Sequence, residues 1–178
     1  MFGVVSLLEG SHLSIFREMW GTLQADCGFN GDYIAPIPHI SWHVAKSYNF
    51  QTLKPILVDI SLRTIPVAVR TEGLGIFTGE VPIVYLNVVK NAALSEFQIK
   101  LWQSVQIASH ETSFHCAPEN WIPHITHARG EINNCNLGCL MDELVFQDLS
   151  WELEMDHIAV IGQNDDQVDQ DLVFAFNA

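Results

Sequence analysis

The chain has 178 residues, of which 48% are apolar and 16% are charged. This composition excludes a disordered chain and fits one domain with a sizeable apolar interior, or two small lobes that share a core. Eight Lys and Arg stand against 21 Asp and Glu, so the formal net charge is −13. Such an acidic surface disfavours a broad face for duplex nucleic acid, but it still permits a pocket for one phosphate.

The predicted elements follow one another in mixed order. In chain order they are a strand at 2–8, a helix at about 12–26 with Ser11 as N-cap, a strand at 39–45, a helix at about 51–62, strands at about 66–77 and 81–89, a helix at 93–109, a strand at 124–128, a short helix at 138–146, and strands at about 150–161 and 171–177. Loops are predicted at 28–38 and at the acidic turn 164–166. The order predicts an α+β fold with antiparallel sheets.

The termini and the cysteines bear on location and assembly. The first nine residues are apolar but lack a basic start and a cleavage site, and no apolar run reaches membrane-spanning length. We therefore expect a cytoplasmic protein without membrane contact, and a monomer, because no heptad pattern or long exposed apolar edge is evident. The spacing of the cysteines fits no zinc or thioredoxin-type motif, so reduced thiols are expected. The four are Cys27, Cys116, Cys135 and Cys139.

One pentapeptide occurs twice in nearly the same form. Ile37-Pro38-His39-Ile40-Ser41 returns as Ile122-Pro123-His124-Ile125-Thr126, with the two histidines 85 residues apart. Each copy follows a loop and opens a short strand. The repeat indicates a duplicated unit with two pseudo-symmetric lobes, and a coincidence between two strands that begin at Pro is the alternative.

Each copy delivers one imidazole and one hydroxyl to the same side of its strand. Side chains alternate along a strand, so His39 shares a face with Ser41, and His124 shares one with Thr126. A neutral imidazole can accept a proton from an attacking water, and an imidazolium can donate one to a leaving oxygen. The hydroxyls can donate hydrogen bonds to phosphate oxygens. The pattern therefore favours phosphate-ester chemistry that needs no metal or other cofactor.

The two motifs resemble the paired signatures of the two-histidine (2H) phosphoesterase superfamily, which includes the LigT-like 2′-5′ RNA ligases and the 2′,3′-cyclic nucleotide phosphodiesterases. The segments 73–77 and 81–86 are similar to the central hairpin of that family. The resemblance implies a bilobal fold in which two antiparallel sheets line a central cleft, with helices outside. It also implies metal-independent hydrolysis of cyclic or terminal phosphodiesters, with 2′-5′ RNA ligation as a possible side activity. The expected substrate is a small nucleotide or the 3′/2′ terminus of an RNA.

Three further residues are predicted to contact substrate. His43 shares the face of His39 and Ser41 by strand alternation, so it either reaches the substrate or flanks the pocket. Arg129 lies three residues after Thr126, where the family often has a basic residue. It alternates away from the cleft, so a phosphate contact requires a bend, for which Gly130 is suited. Phe77 is a candidate for base stacking, as are Tyr48 and Trp121, with a core role as the alternative for each.

Two other functions remain open. A non-catalytic module that binds nucleotides or RNA ends would keep the cleft, although binding alone does not require two titratable groups. A metal-dependent hydrolase could use His39 with His43, and His124 with His127, as ligands. Neither motif contains the Asp, Glu or Cys that zinc sites normally add. The natural substrate, the identity of the base and of the acid, and the regiochemistry of cleavage do not follow from the sequence.

Overall fold

A computed structural model describes residues 1–29, 37–130, 132–162 and 172–177. Over these ranges the chain forms four α-helices and nine strands. In chain order they are β1 (Phe2–Leu7), α1 (Gly10–Cys27), β2 (His39–Tyr48), α2 (Phe50–Arg63), β3 (Val67–Phe77), β4 (Ile83–Val88), α3 (Ala92–Val105), β5 (Ser109–Thr112), β6 (His124–Arg129), α4 (Leu137–Val145), β7 (Glu152–Met155), β8 (His157–Gly162) and β9 (Val173–Ala175).

The strands form two antiparallel sheets. One has five strands in the order β5-β2-β1-β8-β9, and the other has four in the order β6-β4-β3-β7. Every pairing between the described strands is antiparallel. The predicted α+β class with antiparallel sheets is confirmed. The two histidine-bearing strands lie in different sheets, and β2 contacts β6 where the sheets meet.

The helices differ in whether a side chain caps their first free backbone N–H groups. The side chain of Asn91 accepts a hydrogen bond from the N–H of Leu94 at 2.8 Å and so caps α3. In α1, by contrast, the N-cap residue is Glu9 and forms no such bond. Ser11 lies inside the helix, so the prediction that it caps α1 is wrong.

The predicted strand at 150–161 is in fact two strands of different sheets. The chain leaves β7 at Met155, passes Asp156, and enters β8 at His157. β7 pairs with β3 in the four-stranded sheet, whereas β8 pairs with β1 in the five-stranded sheet. Apolar residues alternate in β7, whereas the first four residues of β8 are all buried, and Asp156 is the single residue between the two strands. No Gly or Pro marks the break, so the local pattern does not reveal the change of sheet. The predicted acidic turn at 164–166 lies outside the described residues.

One apolar core joins the two sheets and the helices. Ile40 and Ile125, the central residues of the two pentapeptides, are fully buried in it together with Leu86 of β4. Each isoleucine faces away from its motif histidine and anchors its strand, as strand alternation predicts. No helix within the described ranges has both the length and the apolarity that crossing a bilayer requires.

A disulfide between Cys27 and Cys139 joins the end of α1 to α4. The expectation of reduced thiols is wrong for this pair. Helices α1 and α4 pack against each other, which brings two cysteines 112 positions apart to a Cα–Cα distance of 5.5 Å. Cys116 is a buried free thiol and Cys135 an exposed one. Only the packing of the two helices reveals the pair, because sequence spacing does not encode it.

Candidate active site

The two pentapeptides begin their strands in the same way. The carbonyl of Pro38 accepts a hydrogen bond from the N–H of Leu8 at 2.8 Å, just past the end of β1. The carbonyl of Pro123 accepts one from the N–H of Val88 at 3.2 Å, at the end of β4. Each motif strand is therefore held by an antiparallel neighbour from its first residue.

Both motif histidines make the same hydrogen bond. The Nδ1 of His39 lies 2.7 Å from the carbonyl oxygen of Ile37, and the Nδ1 of His124 lies 2.7 Å from that of Ile122. A carbonyl oxygen only accepts, so Nδ1 carries the hydrogen in each ring. Each neutral imidazole therefore keeps its lone pair on Nε2, the nitrogen that is left to exchange a proton.

An extra residue in β2 changes the face on which His43 lies. Val4 pairs with His43 but Val5 pairs with Ser41, so Trp42 has no partner of its own. Such a bulge reverses the alternation beyond it. His43 therefore points into the core and is fully buried. The prediction that it shares the face of His39 and Ser41 is wrong.

The buried His43 is held by two hydrogen-bonding neighbours. Its Nδ1 lies 2.6 Å from the hydroxyl of Tyr48, and its Nε2 lies 3.1 Å from the side-chain nitrogen of Gln106. Burial lowers the pKa of His43 to about 4, so the ring is neutral at pH 7. Neither ring nitrogen is left for a ligand, and we therefore remove His43 from the predicted substrate-binding residues.

A matching extra residue in β6 changes the face on which Arg129 lies. Val84 pairs with Ala128 but Tyr85 pairs with Thr126, so His127 is unmatched. After this bulge Ala128 is buried and Arg129 is exposed, which returns Arg129 to the face of His124 and Thr126. The change of face that a phosphate contact requires is therefore present, and it comes from the bulge at His127, which precedes Arg129. Gly130, with a φ of 92°, bends the chain only after Arg129.

The carbonyls of the two bulge residues are satisfied by helix side chains. The carbonyl of Trp42 accepts from the side-chain nitrogen of Gln98 in α3 at 3.3 Å. The carbonyl of His127 accepts from the indole nitrogen of Trp20 in α1 at 3.1 Å. Because a buried carbonyl without a partner is costly, these bonds stabilise the bulges.

His127 is buried without polar partners. Its ring stacks on Phe16 at 4.2 Å between centroids with an interplanar angle of 6°. Neither of its ring nitrogens has a hydrogen-bond partner among the described residues. Burial lowers its pKa to about 3, so the ring is neutral. The bulge in β2 places His43, and strand alternation places His127, on the core side of their strands, away from the motif histidines. The two pairs considered as metal ligands therefore do not form.

Trp121 joins the two motif segments. Its indole N–H donates to the carbonyl of Ser41 at 2.8 Å, and its ring lies 5.4 Å from that of Trp42. The Nζ of Lys90 donates to the carbonyl of Trp121 and lies 5.5 Å from its ring. Trp121 is 4% exposed, so it is a packing residue and not a stacking surface for a base.

Burial and nearby charges lower the pKa values of both motif histidines. Burial is the largest cause that lowers the pKa of His39, and its hydrogen bond to Ile37 opposes this. The positive charges of His124 and Arg129 lower it further, so two residues of β6 in the four-stranded sheet act on His39 in the five-stranded sheet. Burial likewise lowers the pKa of His124, against its bond to Ile122.

The two motif hydroxyls are free to bind. Ser41 and Thr126 are half-buried, and their hydroxyl groups form no hydrogen bond with other described residues. Phe77 is also half-buried, and its ring lies 5.0 Å from that of His124. A half-buried donor without a partner suits an anion that is accessible from solvent.

A family comparison agrees with this arrangement. The model of the 2′-5′ RNA ligase superfamily matches residues 16–167, which include both motifs and the hairpin between them. The chain belongs to the 2′-5′ RNA ligase superfamily. No curated protein matches the chain.

Membership in the 2′-5′ RNA ligase superfamily confirms the resemblance that the two motifs carry, and it supports an enzymatic phosphoesterase or ligase role at the level of the superfamily. It does not identify a substrate.

Sequence reasoning missed Tyr85, whose ring lies 5.1 Å from that of His124. The only available signal was its place in the predicted hairpin strand.

One cluster in the described part of the chain has metal-ligand chemistry, but it lies outside the two motifs. Glu9, Asp156 and His157 bring potential ligand atoms within 4.8 Å of one another. The Nδ1 of His157 donates to Asp156 at 2.7 Å, and its Nε2 accepts from the N–H of Leu7 at 3.2 Å. Both ring nitrogens are therefore in use, and the cluster is explained as a brace between β1 and β8.

Proposed function

We propose that this member of the 2′-5′ RNA ligase superfamily is a metal-independent phosphodiesterase that hydrolyses small cyclic phosphates, such as 2′,3′-cyclic nucleotides, or terminal phosphodiesters of RNA. The observation that carries the proposal is the matched pair of hydrogen bonds that leaves Nε2 of His39 and of His124 unprotonated. One such nitrogen accepts the proton of the attacking water, and the other, once protonated, donates a proton to the leaving oxygen.

In the proposed reaction one histidine acts as base and the other as acid. The neutral imidazole takes a proton from a water molecule, whose oxygen forms a bond to phosphorus. As the bond from phosphorus to the 2′ or 3′ oxygen breaks, the other histidine, as imidazolium, donates a proton to that oxygen. Ser41, Thr126 and Arg129 bind the non-bridging oxygens as their charge increases. Ligation that forms a 2′-5′ bond is the same step with the 5′ hydroxyl of a second RNA in place of water and the 3′ oxygen as the leaving group, and it is proposed as a side activity.

The charge distribution favours a short substrate. The net charge of −13 repels a long phosphate backbone. Four of the eight basic residues are paired with nearby carboxylates: Lys46, Arg63, Arg70 and Lys100. Arg129 stands on the face of the second motif without a carboxylate partner among the described residues. One cation at the site suits a single phosphate, and Phe77 is proposed to contact the base.

The test is hydrolysis of the four 2′,3′-cyclic nucleotides with excess chelator present. We expect turnover by the wild type and a loss of kcat/KM of about 10²–10⁴-fold in each of His39→Ala and His124→Ala. His110→Ala is the matched control, because His110 is an exposed histidine of β5 outside both motifs. Its turnover should equal that of the wild type.

Other outcomes separate the alternatives. Nucleotide binding without turnover would favour a binding module on the same fold. Turnover that the chelator abolishes would favour a metal-dependent hydrolase.

Monomeric state and cytoplasmic location also remain proposals. The disulfide between Cys27 and Cys139 weighs against the latter, because such bonds persist mainly in oxidising compartments.

A further inference from the structure

Tyr85 lies at the centre of the four-stranded sheet, next to the second motif. On one side it pairs with Thr126 of β6, and on the other with Gly75 of β3. Residues directly opposite each other in an antiparallel pair project from the same face. The side chain of Tyr85 therefore shares a face with Thr126, and hence with His124 two residues before it.

Gly75 makes room for the ring of Tyr85. A Cβ atom at position 75 would overlap the ring carbons and the hydroxyl of Tyr85. With no side chain there, the Tyr85 ring lies flat across β3 and is buried. An aromatic ring that covers a glycine on the neighbouring strand is a recognised way to stabilise that pair and to fix the ring.

Three rings pack together above this glycine. The rings of Tyr85 and Phe77 are stacked, with centroids 4.3 Å apart. The ring of His124 lies 5.0 Å from Phe77 at an interplanar angle of 82°, and 5.1 Å from Tyr85 at 56°. The Tyr85 hydroxyl forms no hydrogen bond with a described residue, so the contact is made by the ring.

We propose that Tyr85 is a positioning residue that holds the imidazole plane of His124. The bond from Nδ1 to Ile122 restrains one atom of the ring and leaves its plane free to tilt. The stacked rings of Tyr85 and Phe77 together contact the imidazole from one side, so they oppose that tilt and aim Nε2. His39 makes the same backbone bond but contacts no aromatic ring within the described ranges.

The first experiment reads the position of His124 without any substrate. NMR titration follows the ring protons of His39 and His124 in the wild type, Tyr85→Leu, Tyr85→Phe and the control Val84→Ala. Val84 is fully buried next to Tyr85 but projects from the other face of β4. We expect Tyr85→Leu to shift the His124 resonances and its pKa, whereas Tyr85→Phe and Val84→Ala leave both in place. Unchanged His124 resonances in Tyr85→Leu would overturn the proposal.

The second experiment measures the catalytic consequence, which rests on the proposed function. Because a misplaced catalytic group is costly, we expect Tyr85→Leu to lower kcat about tenfold or more with little change in KM, and Tyr85→Phe to retain wild-type kcat. Gly75→Ala should lower kcat similarly, and the double variant Gly75→Ala/Tyr85→Leu no further than either single one. Equal kcat in the wild type and Tyr85→Leu would refute the positioning role.

The two experiments fail in different ways. If the wild type turns over no phosphodiester, the proposed function fails while the NMR result still decides whether Tyr85 holds His124. If the wild type is active and Tyr85→Leu alters neither the resonances nor kcat, the proposed function stands and the role of Tyr85 is rejected.

Discussion

The segment around His39 and the segment around His124 have the same backbone design in different surroundings. In both, a proline carbonyl receives a strand N–H, the histidine Nδ1 binds the carbonyl two residues earlier, and a bulge follows the hydroxyl residue. β2 is an inner strand of its sheet, whereas β6 is an edge strand. The positive charge of Arg129 lowers the pKa of His39, whereas the ring of His124 contacts two aromatic rings.

This difference shows which features the repeat specifies. The repeated residues determine the local hydrogen bonds, because those bonds involve only neighbours in the chain. The residues that distinguish the two sides are not repeated. Five residues after its motif histidine, the first segment has Val44, whereas the second segment has Arg129. We therefore expect two histidines with the same tautomer but unequal affinity for a proton.

The largest expected effect concerns both segments together, since the loop that the Cys27–Cys139 disulfide closes contains both motifs. The double variant Cys27→Ala/Cys139→Ala should lose about 2–5 kcal/mol of stability, because a long loop regains entropy in the unfolded chain. Urea unfolding at pH 7 measures this. Cys135→Ala, at an exposed free thiol, is the control and should change little. Equal stability of the double variant and the wild type would show that the tie is dispensable.

The buried histidines next to the motifs predict a loss of stability in acid. The pKa values of His43 and His127 are lowered to about 4 and about 3, so the unfolded chain binds more protons than the native one below about pH 6.5. Their stabilisation is fully present above that pH and decreases as pH falls. At pH 4 each of the two histidines lowers the free energy of unfolding by about 3 kcal/mol relative to neutral pH.

His127→Phe tests this contribution on the second segment alone. Phe keeps the stack on Phe16 and removes two buried nitrogens without partners. The free energy of unfolding should then decrease less between pH 6.5 and pH 4 than in the wild type, when both are measured by urea unfolding across that range. Parallel pH curves for the two proteins would be the contrary result.

The difference between Val44 and Arg129 predicts unequal effects on catalysis. Arg129→Ala should lower kcat/KM for a cyclic nucleotide about 10–100-fold, because a charge-assisted hydrogen bond to phosphate is lost. Val44→Ala, at the matching position of the first segment, should remain within about twofold of wild type, since no polar contact is removed. Similar losses in both variants would mean that Arg129 acts through packing and not through its charge.

The smallest expected effect is a shift in the pH profile. The pKa values of both motif histidines are lowered from 6.5, so both limbs of a bell-shaped plot of kcat/KM should lie on the acid side of 6.5. In Arg129→Ala the profile should move towards neutral pH, because a positive charge beside His39 is gone. The limbs belong to the pair and not to one ring. A profile centred above pH 7 would contradict this prediction.

Several features of the site follow from sequence alone. Proline followed by histidine opens a strand, and alternation then places His39 with Ser41 and His124 with Thr126, with Ile40 and Ile125 facing the core. The apolar spacing of the helices and the position of the central hairpin follow in the same way, because they depend on residues close together in the chain. The bounds of β1, α2, α3 and α4 differ from the prediction by only a few residues at either end.

The two bulges are features that strand alternation does not predict. A strict alternation puts His43 on the face of His39 and Ser41, and Arg129 on the face opposite His124 and Thr126. The structure has the reverse in both cases. Each bulge is stabilised by a distant side chain, Gln98 or Trp20, that satisfies the carbonyl left out of the ladder. The alternation of residues within either pentapeptide cannot predict the bulge, because the side chain that stabilises it belongs to a helix elsewhere in the chain.

The sequence by itself determined the two histidine motifs, their hydroxyl partners, the α+β class and the superfamily, because each depends on residue type and short-range spacing. The tertiary structure alone decided that β7 and β8 belong to different sheets, that Cys27 meets Cys139, that Arg129 lies on the face of His124 and Thr126, and that Tyr85 covers Gly75 beside His124. These are contacts between segments far apart in the chain, and they form only when burial of a common core brings those segments together.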